Sequence, residues 1–284
     1  MKMKSWFGEI SEWIFPSNIY CISCGSLIDK SRPYSLCDKC IKEFRWIGEE
    51  IPSNCEEYSK GSISRRTCCK CGKALQDDFH GDLCYDCMEI DHYFEKGYSC
   101  LSYGQREREI MMDIKYNNKG YLAHKMGEIL FDRMAGIIYE GGVNGEILFD
   151  IVTPVPVSTR RLSKRGYNQS ELMAKTMLTK WTALASENPG VMLPRFEPHL
   201  LYRVKETKML RGLNPAERRY ALKEAFAVRR GSEERLADKT VLLIDDIYTT
   251  GATADACSKV LLEGGAEKVI LLTLASGGNR RKIE

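Results

Sequence analysis

Apolar residues in the C-terminal two thirds of the chain fall into short, nearly continuous blocks separated by stretches of helical spacing. Residues 240–247 (TVLLIDDI) and 267–275 (EKVILLTLA) offer almost no polar position to give one face to water, so they predict strands covered on both sides. Residues 147–157 (ILFDIVTPVPV) are β-branched and end in prolines that forbid a helix. Residues 98–103 (YSCLSY) alternate as a strand does. Between the blocks, 105–140 predicts two helices separated by the turn YNNKG, and 168–181 carries helical spacing. The stretch 214–226 opens with Asn214 as a cap and Pro215 at the first helical position. A further helix over 252–264 is closed by Gly264 and Gly265, and 186–199 reads as a loop. Strands alternating with helices in this way predict an α/β fold with a parallel sheet and helices on both faces.

The first ninety residues follow another rule. Cys21, Cys24, Cys37 and Cys40 spell CxxC, twelve residues, CxxC, and Cys68, Cys71, Cys84 and Cys87 repeat that spacing at a constant offset of 47. Gly25 and Gly72 follow the second cysteine of each set, so the segment is an internal duplication. A CxxC turn presents two thiolates on one side of a tight knuckle. Two knuckles supply the four soft ligands that Zn²⁺ takes, with Zn–S of about 2.3 Å and no open position, so the metal is expected to be structural. Spacing leaves open whether each repeat closes its own site or the repeats exchange knuckles. His80 is expected to be a loop residue, not a ligand, and Cys55, Cys69, Cys100 and Cys257 fall outside the pattern.

Length and charge narrow the classes. At 284 residues, two folding units are expected, with no apolar run long enough to span a bilayer. Lys plus Arg (42) nearly balance Asp plus Glu (39), so any affinity for nucleic acid must come from local clusters. Residues 1–20 place Trp6, Phe7, Ile10, Trp13 and Ile14 on one helical face, read as an amphipathic helix docked on the protein's own core, with a membrane surface as the alternative. Glu9 and Glu12 do not suit a secretory leader, and a cytoplasmic location is expected. The boundaries expected are 1–20 for this helix, 21–90 for the cysteine module and 91–284 for the α/β domain.

Asp245 and Asp246 stand at the carboxyl end of the apolar strand, where ligands of open α/β sheets bind. Thr249, Thr250, Gly251, Ala252 and Thr253 then form the turn into a helix, whose free amides and positive dipole end suit a phosphate. Neighbouring carboxylates suit a sugar diol, directly or through Mg²⁺. The stretch DDIYTTGAT resembles the fingerprint of the type I phosphoribosyltransferases. With TPVPVSTRRLSKRGYNQSELMA, LLYRVKETKMLRGLNPAERRYALKEAF, LSYG, IKYNNKG and the cysteine-rich start, the chain resembles the ComF family, in which a double zinc ribbon precedes a type I phosphoribosyltransferase-like domain.

The resemblance implies that Asp245 and Asp246 hold ribose hydroxyls of phosphoribosyl pyrophosphate with Mg²⁺, and that residues 249–253 hold its 5-phosphate. Pro156, Val157 and Ser158 would face pyrophosphate, with Arg160, Arg161, Lys164 and Arg165 on a mobile loop nearby. It departs from the family at Leu210 and Ala221, where Gln and Asn are usual. Thr249 stands where purine-salvage members of the superfamily carry an acid, and a threonine is no general base near neutral pH, which argues against that acceptor class. Two functions follow: pentosyl transfer with loss of pyrophosphate, or a DNA-handling protein of competence that holds single strands on its basic segments, alongside competence or recombination proteins. Homo-oligomerisation stays open.

Overall fold

The computed structural model describes residues 18–48, 63–64, 66–141, 149–205 and 214–279. The N-terminal amphipathic face, Cys55, Thr207 and Leu210 lie outside these residues. The main sheet has seven strands in the order β2-β1-β3-β9-β8-β4-β5. They are β1 (Trp46–Ile47), β2 (Ile63–Ser64), β3 (Lys96–Ser102), β4 (Ile151–Pro154), β5 (Arg195–Phe196), β8 (Thr240–Tyr248) and β9 (Lys268–Ser276). From β3 to β5 every neighbouring pair is parallel, whereas β1 meets β3 antiparallel. A separate antiparallel pair, β6 (Leu201–Arg203) with β7 (Phe226–Val228), was not foreseen from the hydrophobic pattern.

The buried strands are β4, β8 and β9, and the period of two along β8 divides the core. Leu242 and Ile244 face α3 (Gln105–Tyr116), α4 (Gly120–Gly141) and α6 (Gln169–Glu187), within one cluster holding Met126, Met173 and Trp181. Val241 and Leu243 face the opposite way, in a cluster with Leu201, Leu222, Phe226 and Leu261. That side is built by the β6–β7 pair, α7 (Pro215–Leu222), α8 (Glu233–Leu236) and α9 (Ala252–Glu263). Asn214 caps α7 as expected, in a reciprocal box with Glu217. One expectation fails. The basic segment foreseen as a mobile loop is a helix, α5 (Thr159–Arg165), because Ser158 caps its first turn and Gly166 ends it at φ 82°.

The duplicated cysteine units do not lie side by side. The first packs Tyr34, Leu36, Phe44 and Trp46 into the α4 side of the core, and the second packs Leu75 and Phe94 into the α9 side. The two copies therefore brace opposite faces of one sheet. The second is seated at Gly72, where φ is 72° and a Cβ would come within 2.4 Å of the Gly97 carbonyl oxygen on β3. No helix among the described residues is long and apolar enough to cross a membrane.

Candidate functional site

The strand β8 delivers its carboxyl end to a cleft lined by Asp245, Thr249, Thr250, Gly251, Thr253 and Arg218. Its floor is the turn over residues 249–251, and α9 starts at Ala252. Gly251 caps that helix at φ 79°, a left-handed conformation that costs a glycine nothing. The amides of the first turn have no partner within the helix, and their dipoles add, so the turn is a ready seat for an anion. From α7, Arg218 Nη1 donates to Thr249 Oγ1 at 3.1 Å and brings a cation to the cleft mouth.

The adjacent acids part company because side chains alternate along a strand. Asp245 faces the cleft. Its Oδ1 accepts from the Asp246 backbone N–H at 2.8 Å and from Ser170 Oγ at 3.4 Å. Burial, and then the neighbouring Asp246 charge, push its carboxyl up to about 7. Asp246 turns to the opposite face, where it is 5% exposed and accepts from Lys115 Nζ and Gln169 Nε2, each at 2.7 Å. Burial pushes Asp246 up as well, but the Lys115 ammonium, the hydrogen bonds and the Arg165 charge outweigh it and hold the carboxyl below its ordinary value.

The register of β4 with β8 pairs Pro154 with Ile244, so Pro156, Val157 and Ser158 leave the sheet beside the two acids. The four cations of the next helix then separate. Arg160, Arg161 and Lys164 are exposed, whereas Arg165 is half-buried, donates from Nε to the Lys115 carbonyl at 3.0 Å and reaches Gln169. Arg165 thus belongs to the network around Asp246.

Each cysteine repeat closes on itself. Within Cys21, Cys24, Cys37 and Cys40, and within Cys68, Cys71, Cys84 and Cys87, all Sγ atoms lie within 4.8 Å of one another. Neighbouring sulfurs approach to 3.7 Å (Cys24–Cys37) and 3.6 Å (Cys71–Cys84). Four thiolates placed tetrahedrally at about 2.3 Å from a common centre would be about 3.8 Å apart, so the donor set fits zinc. Backbone amides point at the sulfurs, Cys37 N to Cys21 Sγ at 3.4 Å and Cys84 N to Cys68 Sγ at 3.2 Å. Both tetrads can hold a structural zinc, and His80 is in neither.

Comparison with known proteins agrees with this architecture. The phosphoribosyl transferase domain family matches residues 199–284. Competence protein F of Haemophilus influenzae is 26% identical over 260 residues, covering 91% of this chain and 97% of its own. Competence protein ComFC of Streptococcus pneumoniae is 25% identical over 265 residues, covering 89% and 98%. DNA utilization protein YhgH of Escherichia coli is 23% identical over 217 residues, covering 76% and 86%.

The chain is similar to the ComF-type competence proteins over most of its length.

In this ComF-like chain several residues of the site lie inside the quoted motifs, yet nothing in the motifs assigned them a role. Lys115 and Gln169 are ordinary helix residues by pattern and reach Asp246 only because α3 ends, and α6 begins, at the same edge of the sheet. Arg218 sits in a charged helical stretch with nothing to mark it from Arg219. Asn168 carried a detectable signal, an Asn before a helical pattern; it caps α6 and its side-chain amide donates to the Val155 carbonyl at 3.0 Å.

Proposed function

We propose that this ComF-like chain binds phosphoribosyl pyrophosphate, or a related phosphorylated ribose, in the cleft at the end of β8. The observation that carries the proposal is the conjunction, in one cleft, of a carboxylate, three threonines and a left-handed glycine at a helix N-terminus. The amides of residues 250–253 and the threonine hydroxyls would take the 5-phosphate, and Asp245 would accept from a ribose hydroxyl. Asp246 acts through the scaffold, orienting Lys115 and Gln169 and raising the proton affinity of Asp245.

Mg²⁺, when bound, neutralises developing negative charge on a pyrophosphate leaving group. Asp245 is the carboxylate able to reach such an ion. A cation bridging both acids does not fit, because Asp246 faces the other side of the sheet and is already paired with Lys115. The metal would then enter with the polyphosphate. Pro156 to Ser158 and the exposed Arg160, Arg161 and Lys164 would line the pyrophosphate end. Transfer would break the bond between the anomeric carbon and pyrophosphate and form one to an acceptor nitrogen, the chain contributing positioning and charge.

Titration calorimetry of the zinc-loaded chain with phosphoribosyl pyrophosphate and MgCl₂ tests this. Saturable heat that Asp245→Asn abolishes supports the assignment; no heat from the unaltered chain overturns it. A second reading, single-stranded DNA binding in a competence role, is supported by α5, whose residues 159–164 are all exposed, and by exposed Tyr116 and Tyr121 on the same side of the sheet. The names of the relatives point the same way.

A further inference from the structure

The turn carrying Gly251 is held from behind by a buried polar cluster. The His92 side chain is fully enclosed, and its Nδ1 lies 2.8 Å and 3.0 Å from the two carboxylate oxygens of Asp255 on α9. An ionised carboxylate only accepts, so Nδ1 carries a hydrogen, and Nε2 lies 3.3 Å from Tyr248 Oη. The imidazole stacks on Phe94 with ring centroids 4.7 Å apart. The Tyr93 backbone N–H donates to the same Asp255 carboxylate at 3.2 Å. One side chain in the first turn of α9 therefore fixes both the ring and the backbone of residues 92–93. A Cβ on Gly251 would lie 2.7 Å from His92 Cε1 and 2.7 Å from Tyr248 Oη. The loop rests directly on these two rings.

The cluster continues into the second ribbon. Lys73 Nζ stands 5.3 Å from the centroid of the Tyr248 ring, is 3% exposed and pairs with Asp86 at 2.6 Å. Lys73 lies two residues beyond Cys71, and Asp86 is the neighbour of Cys87. The first ribbon meets the other face of the sheet, with Tyr34 Oη donating to Asp132 of α4 at 2.6 Å.

We infer that His92 is a positioning residue for the 249–253 loop, and that through His92 and Tyr248 the shape of this anion seat answers to the second cysteine tetrad and not to the first. The inference deepens the proposed ligand reading by assigning a control to the same site. It gives the duplicated ribbons unequal roles: the second sets the site, while the first braces the far face.

The test uses the full-length, zinc-loaded, ¹⁵N-labelled chain, with the Thr250 and Gly251 amide resonances as one readout and ribose 5-phosphate affinity as the other. His92→Leu is expected to move both amides and to weaken binding about tenfold. His92→Asn, which returns an amide donor to the place of Nδ1, is expected to restore affinity to within about threefold. Tyr248→Phe, which removes one hydroxyl, supplies the same readout if His92→Leu does not fold. In the second ribbon, Lys73→Met combined with Asp86→Asn should move the same two amides, whereas Tyr34→Phe in the first should leave them in place. Unmoved amides in His92→Leu and Tyr248→Phe, or equal shifts from the two ribbons, would overturn the inference. Unaltered protein that ignores ribose 5-phosphate while the amides shift as expected would remove the ligand reading and leave the coupling standing.

Discussion

Replacing Lys115 by methionine separates the two acids of the site most sharply. Lys115 Nζ lies 2.7 Å from an Asp246 carboxylate that is 5% exposed, so its removal leaves a buried charge with Gln169 as its remaining side-chain donor. Breaking a buried pair from one side costs about 3–5 kcal/mol, and since the Lys115 side chain keeps 22% of its surface in water, a loss near 3 kcal/mol is expected. With an unfolding entropy of about 2.1 cal/mol/K per residue, a loss of that size lowers the melting temperature by about 5 °C. The sign with pH follows from linkage. In the unaltered protein Asp246 is held below its ordinary value, so its contribution is present above the unfolded value and is lost as pH falls through the folded one. Without Lys115 the carboxyl rises, and the deficit should be largest near pH 8 and shrink toward pH 5. Thermal melts at both pH values, completed by Asp246→Asn and the double variant, give the coupling. If Lys115→Met melts with the unaltered chain at pH 8, or if the double variant is no more stable than Lys115→Met, the ion pair does not exist and the account of Asp246 fails.

Asp245→Asn should stabilise the chain at pH 8 and change little at pH 4: burial and Asp246 raise its carboxyl to about 7, so the stabilising proton is held below the unfolded value and lost as pH rises through 7, which melts across that range would reveal. Gly251→Ala should lose about 1–3 kcal/mol from the positive φ and the 2.7 Å contacts, and should abolish sugar phosphate binding by calorimetry. Elemental analysis should find about two zinc ions per chain, falling to about one in Cys24→Ser, since each tetrad closes within its own repeat. Arg161→Glu with Lys164→Glu should weaken single-stranded oligonucleotide binding and flatten its dependence on salt in fluorescence anisotropy; an unchanged slope would take α5 out of any DNA interface.

The α/β fold and the strands β3, β4, β8 and β9 were legible because long apolar blocks and helix caps are local signals. The Asn214–Pro215 cap and the Gly264 stop appear where the residues place them. The β6–β7 pair was not legible, since Leu201–Arg203 and Phe226–Val228 are three-residue strands that exist by pairing across a long intervening segment. Helix α5 escaped because its residues, exposed apart from the half-buried Arg165, form no apolar face; Ser158 and Gly166 were the available clues. At the site, the phosphate turn was visible as a motif, yet the opposite orientation of Asp245 and Asp246 followed from strand alternation that adjacency in the sequence disguised. Lys115, Gln169 and His92 come from elements remote in the chain, and only packing makes them neighbours.

Gene duplication ordinarily yields twins, but here the two cysteine units have been given different exposures. All four thiols of the second are buried, whereas in the first Cys24 is exposed and Cys37 partly so. An oxidant or chelator approaching from solvent meets the first unit long before the second. Damage would therefore begin at the copy remote from the cleft, making it the sacrificial member of the pair.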